Sequence, residues 1–274
     1  LMKVTILGTA AAEAWPGLFC ACDACREARR RGGPNIRRRT SYLLDDETLI
    51  DFGPDINWQC NAFGIDLSAV RRILFTHSHH DHLEPGELQW RKAGFSKADG
   101  VLDLYGNEHV FERIRRESRY SFAELALVQH LLRPGVSMQA GPLDVLPVEA
   151  DHADRAETAL NLVIRSGEAG LLIANDTGWW PERSWEQVRG LGLGAAVIEC
   201  TYLHQNPEAR HHHMGVQTTI AFRDRLLQEG ALRPDAQVLT AHFSHNGGTL
   251  HEELCSVFEP ANITVAYDGL VLSV

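Results

Sequence analysis

Six consecutive residues carry four side chains that could bind metal ions. Residues 77–82 read His-Ser-His-His-Asp-His, and only Thr76 separates them from the apolar run at residues 73–75. The pattern H-x-H-x-D-H selects four of them: His77, His79, Asp81 and His82. Imidazole suits zinc, iron and nickel, and a carboxylate adds a hard oxygen ligand. Four ligands on one short loop exceed the needs of one open catalytic ion, so the pattern predicts two ions, each held by two of the four.

Further ligand-type residues follow predicted strands later in the chain. These residues are Asp151 and His152 after residues 143–148, Asp176 after residues 170–174, and His242 after residues 237–240. Functional sites are usually built from loops at the ends of core strands. A single Asp or His at a strand end is more often a cap or a hydrogen-bonded loop residue, so the prediction depends on finding several in this order.

A second metal-binding pattern lies near the N-terminus, where three of the six cysteines fall within six residues. Cys20, Cys22 and Cys25 form C-x-C-x-x-C. Three thiolates at this spacing can surround one tetrahedral zinc ion, and a closed structural site needs a fourth ligand. The spacing leaves that ligand open among Cys60, Cys200, Cys255 and a histidine. Unligated or redox-active thiols are the alternative interpretation.

These candidate ligands require a scaffold of strands and helices to position them. Short apolar, β-branched runs predict strands at residues 3–7, 41–44, 48–51, 73–75, 102–104, 143–148, 159–165, 170–174, 195–198, 237–240 and 263–266. Helical spacing predicts helices near residues 22–31, 67–71, 85–93, 108–116, 122–132, 184–189, 216–229 and 250–258. Asp45 and Asp46 predict a hairpin turn. Two sheets with helices on both outer faces would fit this order, although periodicity alone leaves other α/β arrangements open.

Composition restricts the function classes. With 274 residues, of which 44% are hydrophobic, the chain can form one domain over residues 1–274. A net charge of −10 argues against polynucleotide binding, which needs a basic surface. A small anionic substrate stays compatible, because metal ions can supply local positive charge. No apolar run approaches the roughly 20 residues of a membrane span, and the first apolar stretch ends at Gly8, so we expect a cytoplasmic protein without a membrane partner.

The order of these motifs resembles the metallo-β-lactamase superfamily over essentially the whole chain. The resemblance rests on H-x-H-x-D-H after a strand, followed by single His, Asp and His residues at later strand ends. It implies an α/β fold, a four-layer αβ/βα sandwich with metals at one edge of the two sheets. It also implies a first ion on His77, His79 and His152, and a second on Asp81, His82 and His242, with Asp176 bridging them. A shift of one residue would replace His152 by Asp151.

A narrower resemblance concerns the branch of PhnP-like cyclic-phosphate phosphodiesterases and PqqB-related proteins. His242-Phe243-Ser244-His245 repeats the H-x-x-H spacing of that branch. The likeness implies a structural zinc on Cys20, Cys22, Cys25 and His245, within an N-terminal loop at about residues 18–27 beside the active site. It also implies that a histidine before Met214 assists catalysis. His213 is the matching position, and His212 is the alternative.

The expected function is hydrolysis of a small or cyclic phosphodiester. Two divalent transition metal ions (Zn, Mn, Ni, Co or Fe) would bind a bridging hydroxide, Asp81 would orient it, and His213 would be the general acid. We expect no polynucleotide partner, and the protein partner considered is a second copy in a homodimer. The alternatives are another hydrolase of the fold (an RNA-processing nuclease, lactonase or thioesterase) and a PqqB-like accessory or oxidative protein in cofactor biosynthesis. The complete H-x-H-x-D-H favours hydrolysis, and residues 108–133 carry no motif that assigns them a role.

Overall fold

Two seven-stranded β-sheets form the centre of the protein, in a computed structural model that describes residues 1–152 and 156–274. The strands are β1 (Lys3–Gly8), β2 (Ser41–Leu44), β3 (Thr48–Ile50), β4 (Arg72–Leu74), β5 (Leu102–Gly106), β6 (Leu127–Leu131), β7 (Met138–Ala140), β8 (Leu143–Glu149), β9 (Leu160–Ser166), β10 (Ala169–Ala174), β11 (Leu193–Glu199), β12 (Leu232–Ala241), β13 (Thr264–Val265) and β14 (Val271–Ser273). One sheet has the order β14-β1-β2-β3-β4-β5-β6, and the other has the order β13-β12-β11-β10-β9-β8-β7. Both sheets are mixed, and β3, β4, β5 and β6 are parallel to one another, as are β10, β11, β12 and β13.

Helices cover the outer faces of both sheets. The α-helices are α1 (Asp23–Arg31), α2 (Ile56–Phe63), α3 (Glu108–Glu117), α4 (Glu182–Val188), α5 (Val216–Gln228) and α6 (His251–Phe258). Short 3₁₀ helices span Gly33–Asn35, Leu67–Ala69, Pro85–Arg91, His245–Gly247 and Glu259–Ala261. In the part of the chain that the structure describes, no helix has the length and apolar character to cross a membrane.

Three apolar clusters separate the layers. Between the sheets, Ile6 and Tyr42 of the first sheet share one cluster with Leu162, Ile173 and Val197 of the second. Outside the first sheet, residues of α2 and α3 pack with Leu49 and Ile73. Outside the second sheet, residues of α1, α4, α5 and α6 pack with Leu172 and Ile198. The predicted four-layer αβ/βα sandwich is therefore confirmed.

Every predicted strand overlaps an observed one, and one predicted helix is instead a turn and a strand. Residues 122–132 contain a turn followed by β6, which pairs in parallel with β5. Ala126 has a left-handed φ of 52°, which interrupts a helix there. Residues 67–71 and 85–93 contain 3₁₀ helices instead of α-helices, and α2, β7 and β14 were not predicted. Asp45 and Asp46 do form the β2–β3 turn, with φ values of 47° and 59°.

The loop after β1 is attached to the loop after β12. Phe243 N donates to Thr9 O at 3.0 Å, and Ala11 N donates to Phe243 O at 3.0 Å. Buried Arg37 strengthens this junction by donating to Thr9 Oγ1 at 2.8 Å. The cysteine segment that follows in the N-terminal loop is therefore held beside residues 242–245.

Candidate metal centre

The predicted ligands of the dinuclear site meet at one edge of the two sheets. They lie on loops after β4, β8, β10 and β12, so strands from both sheets contribute. Two groups result, each with ligand atoms within 4.8 Å of one another: His77, His79 and His152; and Asp81, His82, Asp176 and His242. The structure thus brings together all seven residues, although His77 and His242 lie far apart in the sequence.

Asp176 lies between the two groups. Its Oδ1 is 3.6 Å from His152 Nε2 in the first group. Its Oδ2 is 2.6 Å from His82 Nε2 and 3.0 Å from His242 Nε2 in the second. The side chain is almost fully buried, and the backbone has a left-handed φ of 47°. The two oxygens of one carboxylate therefore face different sets of imidazole nitrogens.

Hydrogen bonds at Nδ1 hold two of the rings in place. His82 Nδ1 is 2.6 Å from Asp51 Oδ2, and Asp51 is fully buried. His242 Nδ1 donates to Thr201 Oγ1 at 2.9 Å, because that hydroxyl donates its own proton to His242 O. In both rings Nε2 is left to face the group. A hydrogen bond at the ring nitrogen that faces away from the ion is typical of metal-ligating histidines.

Four buried polar atoms in this region have no hydrogen-bond partner among the residues that the structure describes: His77 Nε2, His82 Nε2, Asp176 Oδ2 and His242 Nε2. Such atoms are rare in folded proteins and indicate a missing partner. Two of them, on His82 and Asp176, are 2.6 Å apart but are not aligned as donor and acceptor. Two polar atoms that lie this close without a hydrogen bond between them fit a site where both bind the same cation.

The electrostatics of the second group also fit a cation. Burial alone would lower the pKa of His242, but the Asp176 and Asp81 carboxylates raise it to about 10. Burial would raise the pKa of Asp176, yet neighbouring His242 and His82 keep it well below its usual range. The carboxylates therefore require positive charge beside them. A divalent ion would supply it in place of imidazole protons, and the N and O donors suit transition metals.

Glu199 is a site residue that the sequence analysis missed. Its buried carboxylate ends β11 and accepts hydrogen bonds from the backbone N–H groups of Thr177, Thr201 and Met214. His213 Nδ1 donates to Glu199 Oε1 at 2.8 Å. Burial would lower the pKa of His213, but the adjacent Glu199 carboxylate raises it. The available signal was an acidic residue at the end of an otherwise apolar strand, since buried Glu is rare unless paired.

The three consecutive histidines at residues 211–213 lie in different environments. His211 and His212 are exposed, whereas His213 lines a cavity beside the two groups. His212 contributes its main chain, because its carbonyl accepts from His152 Nδ1 at 3.0 Å. His152 rather than Asp151 belongs to the first group, and Asp151 Oδ2 is instead 3.3 Å from His211 Nδ1. Asp151, the alternative to His152, therefore lies outside the two groups, and His212, the alternative to His213, does not line the cavity.

A cavity of about 460 Å³ opens over the two groups. Besides the candidate ligands and His213, three segments of the chain line it: Ala11, Ala12 and Glu13 from the N-terminal loop; Thr201, Tyr202 and Gln205 after β11; and Ser244 and Asn246 after β12. Among the lining residues in the described part of the chain, none is Lys or Arg. Positive charge for an anionic substrate would therefore come from bound ions and from the histidines.

The cysteine motif forms a separate group with His245. The ligand atoms of Cys20, Cys22, Cys25 and His245 all lie within 4.8 Å of one another. His245 Nδ1 is 3.8 Å from Cys20 Sγ and 3.9 Å from Cys22 Sγ. A tetrahedral zinc with Zn–S bonds of about 2.3 Å needs ligand atoms roughly this far apart. All six cysteines are free thiols, so the structure contains no disulfide in this motif.

The thiols of this group cannot easily ionise together without a cation. Burial opposes ionisation of Cys22, but the Cys25 amide that donates to its sulfur helps to lower its pKa to about 7. Burial, together with the neighbouring Cys22 and Cys20, raises the pKa of Cys25 to about 12. A zinc ion would stabilise both thiolates, because metal binding favours deprotonated ligands. The four residues therefore fit a closed structural zinc site.

Replacing Cys22 with Ser should remove about one zinc per chain and lower Tm by roughly 5–10 °C. A structural zinc contributes directly to folding, and a loss of a few kcal/mol shifts Tm by this amount in a domain of this size. Metal analysis and thermal unfolding measure the two effects. Cys60→Ser, a half-buried cysteine on α2 outside the group, is the matched control. Unchanged zinc in Cys22→Ser, or zinc loss in Cys60→Ser, would contradict the assignment.

Comparison with known proteins identifies the family. The sequence profile of the β-lactamase superfamily domain matches residues 47–233. Coenzyme PQQ synthesis protein B of Methylobacterium radiotolerans is 26% identical over 307 aligned positions, covering 99% of this chain and 100% of that protein. The structure of a diphosphatase from the PhnP family superposes with a TM-score of 0.76 at 24% identity, covering 100% and 98% of the two chains. Zn²⁺-bound PqqB from Methylobacterium extorquens gives 0.78 at 19% identity, with coverage of 99% and 100%.

The chain belongs to the metallo-β-lactamase superfamily, whose members are mostly hydrolases. Over nearly its whole length the chain is similar to PqqB and to a PhnP-family diphosphatase. This membership agrees with the fold and with the groups of metal-binding residues at the sheet edge.

Proposed function

We propose that the protein is a dinuclear metal-dependent phosphodiesterase that acts on a small or cyclic phosphodiester. The observation that carries the proposal is the position of Asp176, whose two oxygens lie 3.6 Å from His152 Nε2 and 2.6 Å from His82 Nε2. In this proposal His77, His79 and His152 would hold one ion, Asp81, His82 and His242 would hold the other, and Asp176 would contribute to both. Divalent ions held there would lower the pKa of water and neutralise the phosphate oxygens.

Asp81 would orient the attacking water. Its side chain lines the cavity, and its Oδ2 is 3.2 Å from His82 Nε2. Burial would raise its pKa, but His82 and His242 hold it well below its usual range, so Asp81 stays an acceptor. A carboxylate fixed in this way can accept a proton of water while the oxygen attacks phosphorus.

His213 would protonate the leaving oxygen. Glu199 Oε1 accepts a hydrogen bond from His213 Nδ1 at 2.8 Å, and its charge favours the protonated ring. The proton on Nε2 would then be available for the leaving oxygen. As the bond from phosphorus to the leaving oxygen breaks, that proton neutralises the alkoxide. General acid assistance of this kind typically contributes about 10²–10⁴-fold in rate. Glu199 would act as a positioning residue through His213.

The size and charge of the cavity support a small substrate. About 460 Å³ accommodates a molecule of nucleotide size, in the usual range for ligand pockets. A polynucleotide would need a basic track to replace its counterions, and the net charge of −10 opposes one.

A role in coenzyme PQQ synthesis is the second candidate. The full-length match to PQQ synthesis protein B favours it. The two candidates predict different chemistry, because an oxidative role would require a redox-active metal and consumption of oxygen, whereas hydrolysis requires neither.

Metal analysis combined with a substrate screen tests the proposal. The screen compares cyclic phosphates, p-nitrophenyl phosphodiesters, a nucleoside diphosphate, lactones and thioesters, with Mn²⁺, Ni²⁺ or Co²⁺ added. We expect phosphodiester turnover that chelation abolishes and that metal addition restores. Rapid lactone or thioester hydrolysis without phosphodiester turnover would move the protein to another hydrolase class. Iron-dependent oxygen uptake without hydrolysis would favour the cofactor-synthesis role.

A further inference from the structure

One wall of the cavity contains a carboxylate that the mechanism does not use. Glu13 lies on the loop after β1 and lines the cavity together with Asp81, Asp176 and His213. Its side chain is about one-third exposed, at 32%. A charged acceptor in this position can touch substrate while it stays clear of the two proposed ion sites.

Neighbouring side chains fix one of its oxygens. Ser244 Oγ donates to Glu13 Oε1, and Asn246 Nδ2 donates to the same oxygen at 3.1 Å. Both donors follow His242 on the loop after β12. No described residue donates to the second oxygen, Oε2, in the hydrogen bonds of the structure. The carboxylate is thus oriented by Oε1 and keeps Oε2 free for a ligand.

The charge of Glu13 is poorly compensated. Among the described residues, the ion-pair contact within 4.0 Å of Glu13 is with the His245 ring, whose Nε2 lies 3.8 Å from Oε1, and His245 is the proposed fourth ligand of the structural zinc. Among the cavity-lining residues that the structure describes, no Lys or Arg faces it. A substrate group beside Glu13 therefore meets an oriented hydrogen-bond acceptor that carries negative charge.

We propose that Glu13 determines substrate specificity, and this inference rests on the proposed phosphodiesterase function. Glu13 favours phosphodiesters whose alcohol portion carries a hydroxyl or another hydrogen-bond donor, because a donor gains a charge-assisted hydrogen bond to the carboxylate. It disfavours substrates with a second, terminal phosphate, because like charges repel at this distance. The preferred substrate class is therefore the monoanionic phosphodiester of a polyol or sugar.

Three p-nitrophenyl phosphodiesters with matched second alcohols test the inference. The second group is 3-hydroxypropyl, n-butyl, or propyl ending in a phosphate. The wild type should prefer hydroxypropyl over butyl by about tenfold in kcat/KM, as expected for a hydrogen bond to a charged acceptor. In Glu13→Gln the amide oxygen can still accept from Ser244 and Asn246. The hydroxyl preference should then fall to about threefold or less, and the phosphate-ended ester should improve about tenfold relative to butyl.

Two controls separate specificity from folding. Glu168→Gln, an exposed residue in the β9–β10 turn, should leave all three ratios unchanged. Glu13→Ala, measured together with zinc content, should abolish the hydroxyl preference while zinc is retained. If Glu13→Gln changes all three substrates equally, or if the wild type does not discriminate, the inference is overturned and the phosphodiesterase proposal stands. No turnover of any of the three esters by metal-loaded wild type overturns both.

Discussion

Replacing Asp176 with Asn should remove at least one of the two proposed active-site ions and lower the proposed phosphodiester turnover by about a thousandfold or more. The buried carboxylate faces both groups of ligands, so its charge would serve two cations at once. A neutral amide can offer one oxygen but cannot provide the same compensation, and metal-ion catalysis of phosphoryl transfer is worth several kcal/mol. Metal content per chain and kcat/KM, measured on the same preparation, test the prediction.

Asparagine is the informative replacement because of the backbone. Asp176 has a φ of 47°, a left-handed conformation that Asn tolerates better than most residues. Asp45→Asn is the matched control, since Asp45 has the same φ of 47° but lies exposed in the β2–β3 turn. The control should keep its metals and activity. Two retained ions and near-normal turnover in Asp176→Asn would contradict the bridging assignment.

The sequence located the ligand-bearing loops because each candidate follows a strongly apolar strand. H-x-H-x-D-H is contiguous, and Asp176 and His242 come within two residues of the ends of β10 and β12, which both pair with β11 in the same sheet. The supporting residues could not be found in this way. Asp51 contacts His82 from 31 positions away, and Glu199 collects donors from separate loops. Such contacts depend on the tertiary arrangement, which local patterns do not specify.

The errors in the fold prediction have a related cause. Leu127 and Leu131 are four positions apart, a spacing that suits a helix, yet this segment ends as β6, at the edge of its sheet. Val128 and Gln129 of β6 are both exposed, so the strand lacks the strict alternation that marks a half-buried strand. Pairing with β5 decides the conformation, and that pairing joins distant parts of the chain.

Replacing His213 with Ala should lower turnover about 10²–10⁴-fold for a phosphodiester with an alkoxide leaving group, such as a cyclic dialkyl phosphate. The same change should cost about tenfold or less for ethyl p-nitrophenyl phosphate. Nitrophenolate leaves without a proton, whereas an alkoxide requires one, so the general acid matters mainly for the first substrate. The Glu199 carboxylate, 2.8 Å from His213 Nδ1, raises the pKa of His213 and so favours the protonated ring that a general acid needs.

Metal content must be measured alongside the two rates, because the His213 ring stacks on His242 at a centroid distance of 5.7 Å. His211→Ala, an exposed member of the same segment, should leave both rates unchanged. Glu199→Gln should reproduce the selective loss in weaker form, since it leaves the imidazole in place but removes the charge that favours its protonated state. If His213→Ala retains its metals and slows both substrates equally, His213 is not the acid, and the leaving oxygen must obtain its proton from water.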